Sequence, residues 1–340
     1  MTAPQSPPAS TARGGLGSST AIGTAIVAVA ASLWATDVFF RRHLATSISA
    51  TEIVFWEHVV LTLAVLPILL RAGPALRRLR LIDWLAVIVV GGGASVGATI
   101  LFTKALTSAI ADGGDLTTPL LLQKLQPVFA VCFAYVVLRE RVRPRYFWFL
   151  AAALLGSYLL VLDDPGKVAP SNATAPLLAI AAAVLWALGT VLGKFLGDKL
   201  SPNELTAVRF ATGLPIAALL LLTRGGNGPF FAAGAGDAPW LIALALIPGL
   251  IALLLYYRGL ERTTASTATL AELSFPATAL VLNAIAFGIH LGAVQVLGLV
   301  ILLATVTAMP FVMSRDPSAL ARRGPRPGSP RRTADAGSRA

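Results

Sequence analysis

Apolar positions in this chain gather into long blocks instead of alternating with polar ones. The stretches Thr20–Val38, Leu81–Phe102 and Leu291–Val312 each hold at most one charged residue. A helix needs roughly 20 apolar residues to cross the hydrocarbon core of a bilayer, and ten blocks reach that scale. They run over roughly 20–41, 52–70, 83–106, 117–138, 145–162, 175–195, 203–223, 239–258, 266–288 and 292–313. Pro67, Pro127, Pro215, Pro248, Pro276 and the Gly91 to Gly93 run fall inside these blocks. Membrane helices tolerate them because neighbouring helices satisfy the freed backbone groups. The pattern predicts an all-α polytopic membrane protein of ten transmembrane helices. The first block has full spanning length, so it reads as a span and not as a cleaved signal peptide.

The second half of the chain echoes the first. Leu33-Trp34-Ala35 returns as Leu185-Trp186-Ala187, and Glu52 returns as Glu204, both at an offset of 152 residues. Trp84-Leu85 returns as Trp240-Leu241 at 156, Lys104-Ala105-Leu106 as Arg258-Gly259-Leu260 at 154, and Pro127 as Pro276 at 149. An offset that drifts but keeps its order is what duplication followed by small loop changes leaves behind. Five spans per unit is an odd number, so the second unit enters the membrane from the opposite side. The expected organisation is two inverted five-helix repeats, 20–162 and 175–313. Residues 1–19 read as a disordered N-terminal tail and 314–340 as a basic disordered cytoplasmic tail. Inverted repeats are a common device of secondary transporters, with the substrate site near the midplane where the halves meet.

Composition supports this reading. The chain is 56% hydrophobic and 13% charged, against about a quarter charged in soluble domains. Its net charge of +11 raises the question of nucleic acid, and the placement of the charge answers it. With the N-terminus inside, 20 of the 27 Lys and Arg fall on the cytoplasmic side, four on the other, and Lys124, Lys104 and Arg209 within spans. That bias orients a membrane protein and favours both termini in the cytoplasm of a multi-pass cell (inner or plasma) membrane protein. Cys132 is the single cysteine, and His43, His58 and His290 form no ligand-spaced pair. No disulfide within the chain, no metal and no cofactor are expected.

With the repeat laid out, motifs come into register. Leu125-Gln126-Pro127-Val128-Phe129-Ala130 is followed by Leu138-Arg139-Glu140-Arg141, and Ala271-Glu272-Leu273-Ser274-Phe275-Pro276-Ala277 occupies the matching place in the second half. On these residues the chain resembles the EamA family of the drug/metabolite transporter superfamily over about 20–313. The resemblance implies ten helices, inverted five-helix repeats and transport of metabolites, often outward. There are departures. Arg139 stands where a Gly is usual, and Ile289 and His290 replace a Glu-Arg pair after Gly288.

Ionisable groups within spans are costly, which makes each a functional candidate. Lys124 lies three residues before Pro127, with Gln123 and Gln126 within one turn and Thr117 and Thr118 further back. A cation among amides and hydroxyls suits an anionic group. Glu272 is the counterpart in the second half, set against Gln123 when the prolines are aligned, and suits a cationic group or a coupling proton. Glu57 lies deep in the second block beside Trp56 and His58. Its repeat mate is Arg209, and a structural ion pair between Glu57 and Arg209 is expected. Trp34, Trp186 and Tyr256 are candidates to line a cavity. Pro127 and Pro276, which remove a backbone donor and kink a helix, are candidate gating hinges. Glu52 reads as an end charge. Asp37 lines a gate or reaches the outer water. Lys104, Asp112 and Asp115 read as boundary charges.

Two catalytic motifs are set aside. Gly93-Ala94-Ser95-Val96-Gly97 matches G-x-S-x-G, but that elbow requires a strand–turn–helix, and here the small residues fit close helix packing. The Gly189 to Lys194 stretch lacks the full phosphate-loop pattern, so nothing implies ATP hydrolysis. The sequence therefore points to a secondary active transporter of a small metabolite, an amino acid or related solute, exported by alternating access. A membrane-embedded enzyme and a channel or scaffold are the alternatives. The partners expected are a small-molecule substrate, the lipid bilayer and a coupling proton or ion, with no nucleic acid. The oligomeric state is left open.

Overall fold

The computed structural model describes residues 11–111, 117–161, 173–223, 231–287 and 291–314. Asp112, Asp115, Asn172, Gly288 to His290, the first ten residues and 315–340 lie outside the described residues. Every regular element among those described is helical. Ten helices are long and apolar enough to cross a membrane: α1 (Ser19–Leu44), α2 (Ala50–Arg71), α3 (Leu81–Ala109), α4 (Thr118–Leu138), α5 (Pro144–Val161), α6 (Thr174–Leu196), α7 (Pro202–Leu222), α8 (Ala238–Arg262), α9 (Ala265–Ala286) and α10 (Ala293–Val312). The helix carrying α1 begins at Thr11. Extending a nucleated helix by a few residues costs little.

The contacts display the duplication. α1 packs against α8 and α9, and α6 packs against α3 and α4. α2 lies against α7, α4 against α9 and α5 against α10. Exchanging the first unit for the second maps this set of pairings onto itself. Small residues bring the backbones together. A Cβ built on Gly23 in α1 would sit 2.9 Å from the Gly259 carbonyl of α8, and one on Gly259 would sit 2.7 Å from the Gly23 carbonyl. Where lipid tails are as apolar as the side chains, such close packing drives helix association.

Two buried apolar clusters follow from these pairings. One joins α2, α3, α7 and α8 through Leu61, Val90, Leu205, Phe210 and Tyr257. The other joins α5, α9 and α10 through Leu150, Leu273, Leu302 and Met309. Large apolar side chains such as Leu70, Val136, Trp148 and Ile285 point outward, an exterior suited to lipid.

Helix starts repeat as well. Ser49 accepts a hydrogen bond from the Glu52 N–H at 3.4 Å, and Ser201 accepts one from the Glu204 N–H at 3.3 Å. In α7 the Glu204 carboxylate returns the bond to the Ser201 N–H at 2.8 Å, completing a capping box. In α2 the carboxylate goes elsewhere. Glu52 is fully buried and accepts from the N–H groups of Ala232 and Ala233, at 2.8 and 2.9 Å. The end charge expected there is a strut to the segment before α8.

Candidate functional site

Two spans are interrupted at their centre. α4 stops at Gln123 and resumes at Gln126, and α9 stops at Ala271 and resumes at Ser274. The reason is local. Pro127 has no N–H to offer the Gln123 carbonyl, and Pro276 has none for Glu272. Each chain passes through a tighter turn: Leu125 N–H bonds Leu122 at 3.1 Å, and Leu273 N–H bonds Leu270 at 3.1 Å. Lys124 and Glu272 therefore stand at the interruptions of two repeat-related helices. The prolines were expected to kink continuous helices, and the helices are broken instead.

At these breaks the halves touch. The Gln126 side-chain amide donates to the Glu272 carboxylate at 2.6 Å. The other carboxylate oxygen accepts from the Tyr256 hydroxyl at 2.8 Å and the Thr190 hydroxyl at 3.2 Å. Trp34 of α1 packs on the Tyr256 ring, centroids 5.1 Å apart. Side chains from α1, α4, α6, α8 and α9 thus converge on one acid inside the bundle. Thr190 gave no sequence signal, because a threonine in an apolar helix normally bonds its own backbone.

Lys124 is buried, donates to Gln123 at 2.8 Å and lies 5.0 Å from the centre of the Phe275 ring. Among the described residues it has no carboxylate within ion-pairing distance, and it does not pair with Glu272. The cation and the acid are separately satisfied. Trp186 packs edge-on against Phe102 at 5.5 Å.

The expected Glu57–Arg209 pair does not form. Glu57 binds Arg41 at 2.7 Å, and Arg41 also binds Asp37 at 2.5 Å. All three belong to the first half. α1 is broken at Ala35 and Thr36 and restarts at Asp37, which swings Arg41 towards α2. A nearer cation, one helical turn from an acid it already holds, has displaced the repeat mate. Arg209 instead donates to Ser95 at 2.6 Å and to the Tyr257 hydroxyl at 2.9 Å.

Ser95 belongs to a π-helical stretch of α3, Val89–Gly97, and α8 has a matching one at Ala245–Ile251. The offset relating Trp84 to Trp240 carries Val89 onto Ala245. Such bulges re-aim side chains and recur at functional sites.

The fold and its central polar cluster define a membrane transport protein built from two inverted units. The chain belongs to the EamA-like transporter family, whose model matches residues 21–162 and 173–309, one five-span unit each. This is a family of transporters and not of enzymes, with a small-molecule substrate and a membrane setting. The chain is similar to the riboflavin transporter ImpX of Fusobacterium nucleatum, at 32% identity over 213 residues, 61% of this chain and 70% of that protein. It is also similar to an uncharacterized transporter of Methanothermobacter thermautotrophicus, at 27% over 159 residues, 46% and 45% of the two chains. It thus spans under half the length of that second relative. A solved crystal structure superposes with a TM-score of 0.69 at 20% identity, over 86% of this chain and 98% of the other, and shares the fold.

Proposed function

We propose that this protein is a secondary active transporter that carries a small planar, hydrogen-bonding metabolite of the riboflavin kind by alternating access. The single observation that carries the reading is the Gln126–Glu272 contact, where both proline-broken helices present polar side chains to one interior point. Broken membrane helices at a repeat interface are the usual makings of a solute site. Glu272, Gln126, Gln123 and Lys124 supply polar contacts there. Trp34 and Tyr256 supply a flat aromatic face, with Trp186 bordering it through α6. Pro127 and Pro276 act as the hinges. Glu57, held by Arg41, is a gate ion pair and not a solute ligand. Similarity to a riboflavin transporter favours a flavin.

The carrier sits in the cell membrane with both termini cytoplasmic and works outward, driven by the solute gradient or a coupled proton or ion. A second reading, an amino acid or related zwitterion, is favoured by the adjacent Tyr256 and Tyr257, one bonded to Glu272 and the other to Arg209. These two tyrosines set an acid and a cation side by side.

The test is counterflow in proteoliposomes. Vesicles preloaded with an unlabelled flavin, riboflavin or riboflavin 5′-phosphate, should transiently accumulate the same flavin in labelled form. An overshoot with amino acids in place of riboflavin assigns the second reading, and no overshoot with either refutes the carrier for these solutes. Inside-out and right-side-out vesicles then fix the direction.

A further inference from the structure

Arg209 is a cation that makes no direct ion pair among the described residues. Its two hydrogen-bond partners, Ser95 and Tyr257, are neutral hydroxyls. Among the described residues no carboxylate lies within ion-pairing distance of it. Glu57, its repeat mate, is held by Arg41.

An arginine near a helix end normally snorkels toward water. Arg209 does the opposite. It lies in the first half of α7, and its Nε is tied to Ser95, the middle residue of α3. The guanidinium is therefore drawn toward the bilayer centre. The backbone is arranged to allow this. A Cβ on Gly91 would fall 2.6 Å from the Arg209 carbonyl and 3.1 Å from the Gly213 nitrogen. Only a glycine permits so close an approach of α3 to α7. Gly91 and Ser95 lie within the same π-helical stretch, about one turn apart, so the contact at Gly91 aims Ser95 at Arg209. Tyr257, the second partner, lies with its ring 5.5 Å from Tyr256, which binds Glu272. The cation thus borders the cluster proposed to hold the solute.

A guanidinium has five N–H donors, and two are used here. An ionisable side chain inside a membrane span is a candidate for a substrate or ion pathway by default. We infer that Arg209, set by Ser95 and Tyr257, is an anion-recognition subsite: the transported solute carries a carboxylate or phosphate that docks on this guanidinium. The inference rests on the central cluster being the solute site, and it narrows the flavin reading to a flavin phosphate ester and the second reading to the carboxylate of an amino acid.

The experiment measures binding of matched pairs to the purified full-length protein. Riboflavin 5′-phosphate is compared with riboflavin, and phenylalanine with phenylalaninamide. Wild type, Arg209→Gln and Arg209→Lys are used, with folding checked by helical content and elution profile. The member of each pair that carries the phosphate or carboxylate should bind at least about tenfold more tightly to wild type, the scale of one charge-assisted contact. The preference should fall to near parity in Arg209→Gln and survive in part in Arg209→Lys. Preference for the phosphate assigns a phosphate ester, and preference for phenylalanine assigns a carboxylate. Equal binding of both members, no binding by any of the four, or a preference unchanged in folded Arg209→Gln overturns the inference. Should Arg209→Gln fail to fold, the wild-type preference and its reduction in Arg209→Lys decide. Riboflavin binding without discrimination leaves the carrier reading intact and removes this one. Carboxylate discrimination without flavin binding does the reverse for the flavin.

Discussion

Gln126 of the first repeat and Glu272 of the second meet at 2.6 Å, Gln126 immediately before the proline that breaks its helix and Glu272 four residues before its own. A half-helix that is not continuous with its other half can tilt without bending a full hydrogen-bond ladder. One hydrogen bond between two such breaks couples their positions, so a solute that replaces it acts on both helices. This makes the contact more than packing. On the proposed carrier reading, it is where occupancy of the site and the arrangement of the repeats are joined.

Arg139 closes α4 in the left-handed conformation, with φ 54° and ψ 29°, at the position where the family usually has Gly. The Glu140 N–H folds back to Ala134 at 3.0 Å, and its carboxylate accepts from the Ala265 N–H at 2.9 Å. A side chain in this region costs roughly 1–2 kcal/mol relative to Gly. Arg139 is exposed, so its side chain recovers little. Arg139→Gly should raise the melting midpoint of the purified protein. A lower midpoint would mean that the guanidinium has a structural role of its own.

Arg41 holds two carboxylates, Asp37 and Glu57, and all three are at least partly shielded. Removing the hub leaves two acids facing each other. Arg41→Met should destabilise by roughly 1–3 kcal/mol. Adding Asp37→Asn and Glu57→Gln to it should recover most of the loss, because residues of one network are not additive. A triple variant as unstable as the sum of the singles would show that the three act independently.

α1 and α8 touch through Gly23 and Gly259, with no room for a side chain on either. Gly259→Leu should lower the melting midpoint by an amount equivalent to roughly 1–3 kcal/mol, the usual cost of overpacking. Gly73, which has open space around it, is the control and should tolerate Leu. An unchanged midpoint in Gly259→Leu would show that the two helices can separate freely.

The ten spans and the repeat were legible because both rest on features that outlast loop changes: apolar length and the order of Trp, Glu and Pro. The breaks in α4 and α9 were half legible, since a proline marks the place but not whether the helix kinks or stops. The partner of Glu57 was misread by symmetry. Arg41 closes the first apolar block, and the Asp37–Arg41 spacing of one turn was the available sign that the two pair on a helix. Glu52 carries the same Ser-x-x-Glu pattern as Glu204, and only tertiary contact distinguishes the strut from the cap. Ser95 read as a packing residue because a π-helical stretch alters side-chain spacing in a way no apolar periodicity reveals.

Flavin counterflow (riboflavin and riboflavin 5′-phosphate) in proteoliposomes carrying wild type or Glu272→Gln tests the central claim most directly. Gln keeps the size of the side chain but cannot accept three donors on a charged carboxylate, a loss of roughly 1.5–3 kcal/mol at the site. The expected result is an initial rate at least about tenfold lower for Glu272→Gln, with the variant folded and incorporated like wild type. A wild-type rate in that variant would contradict the account.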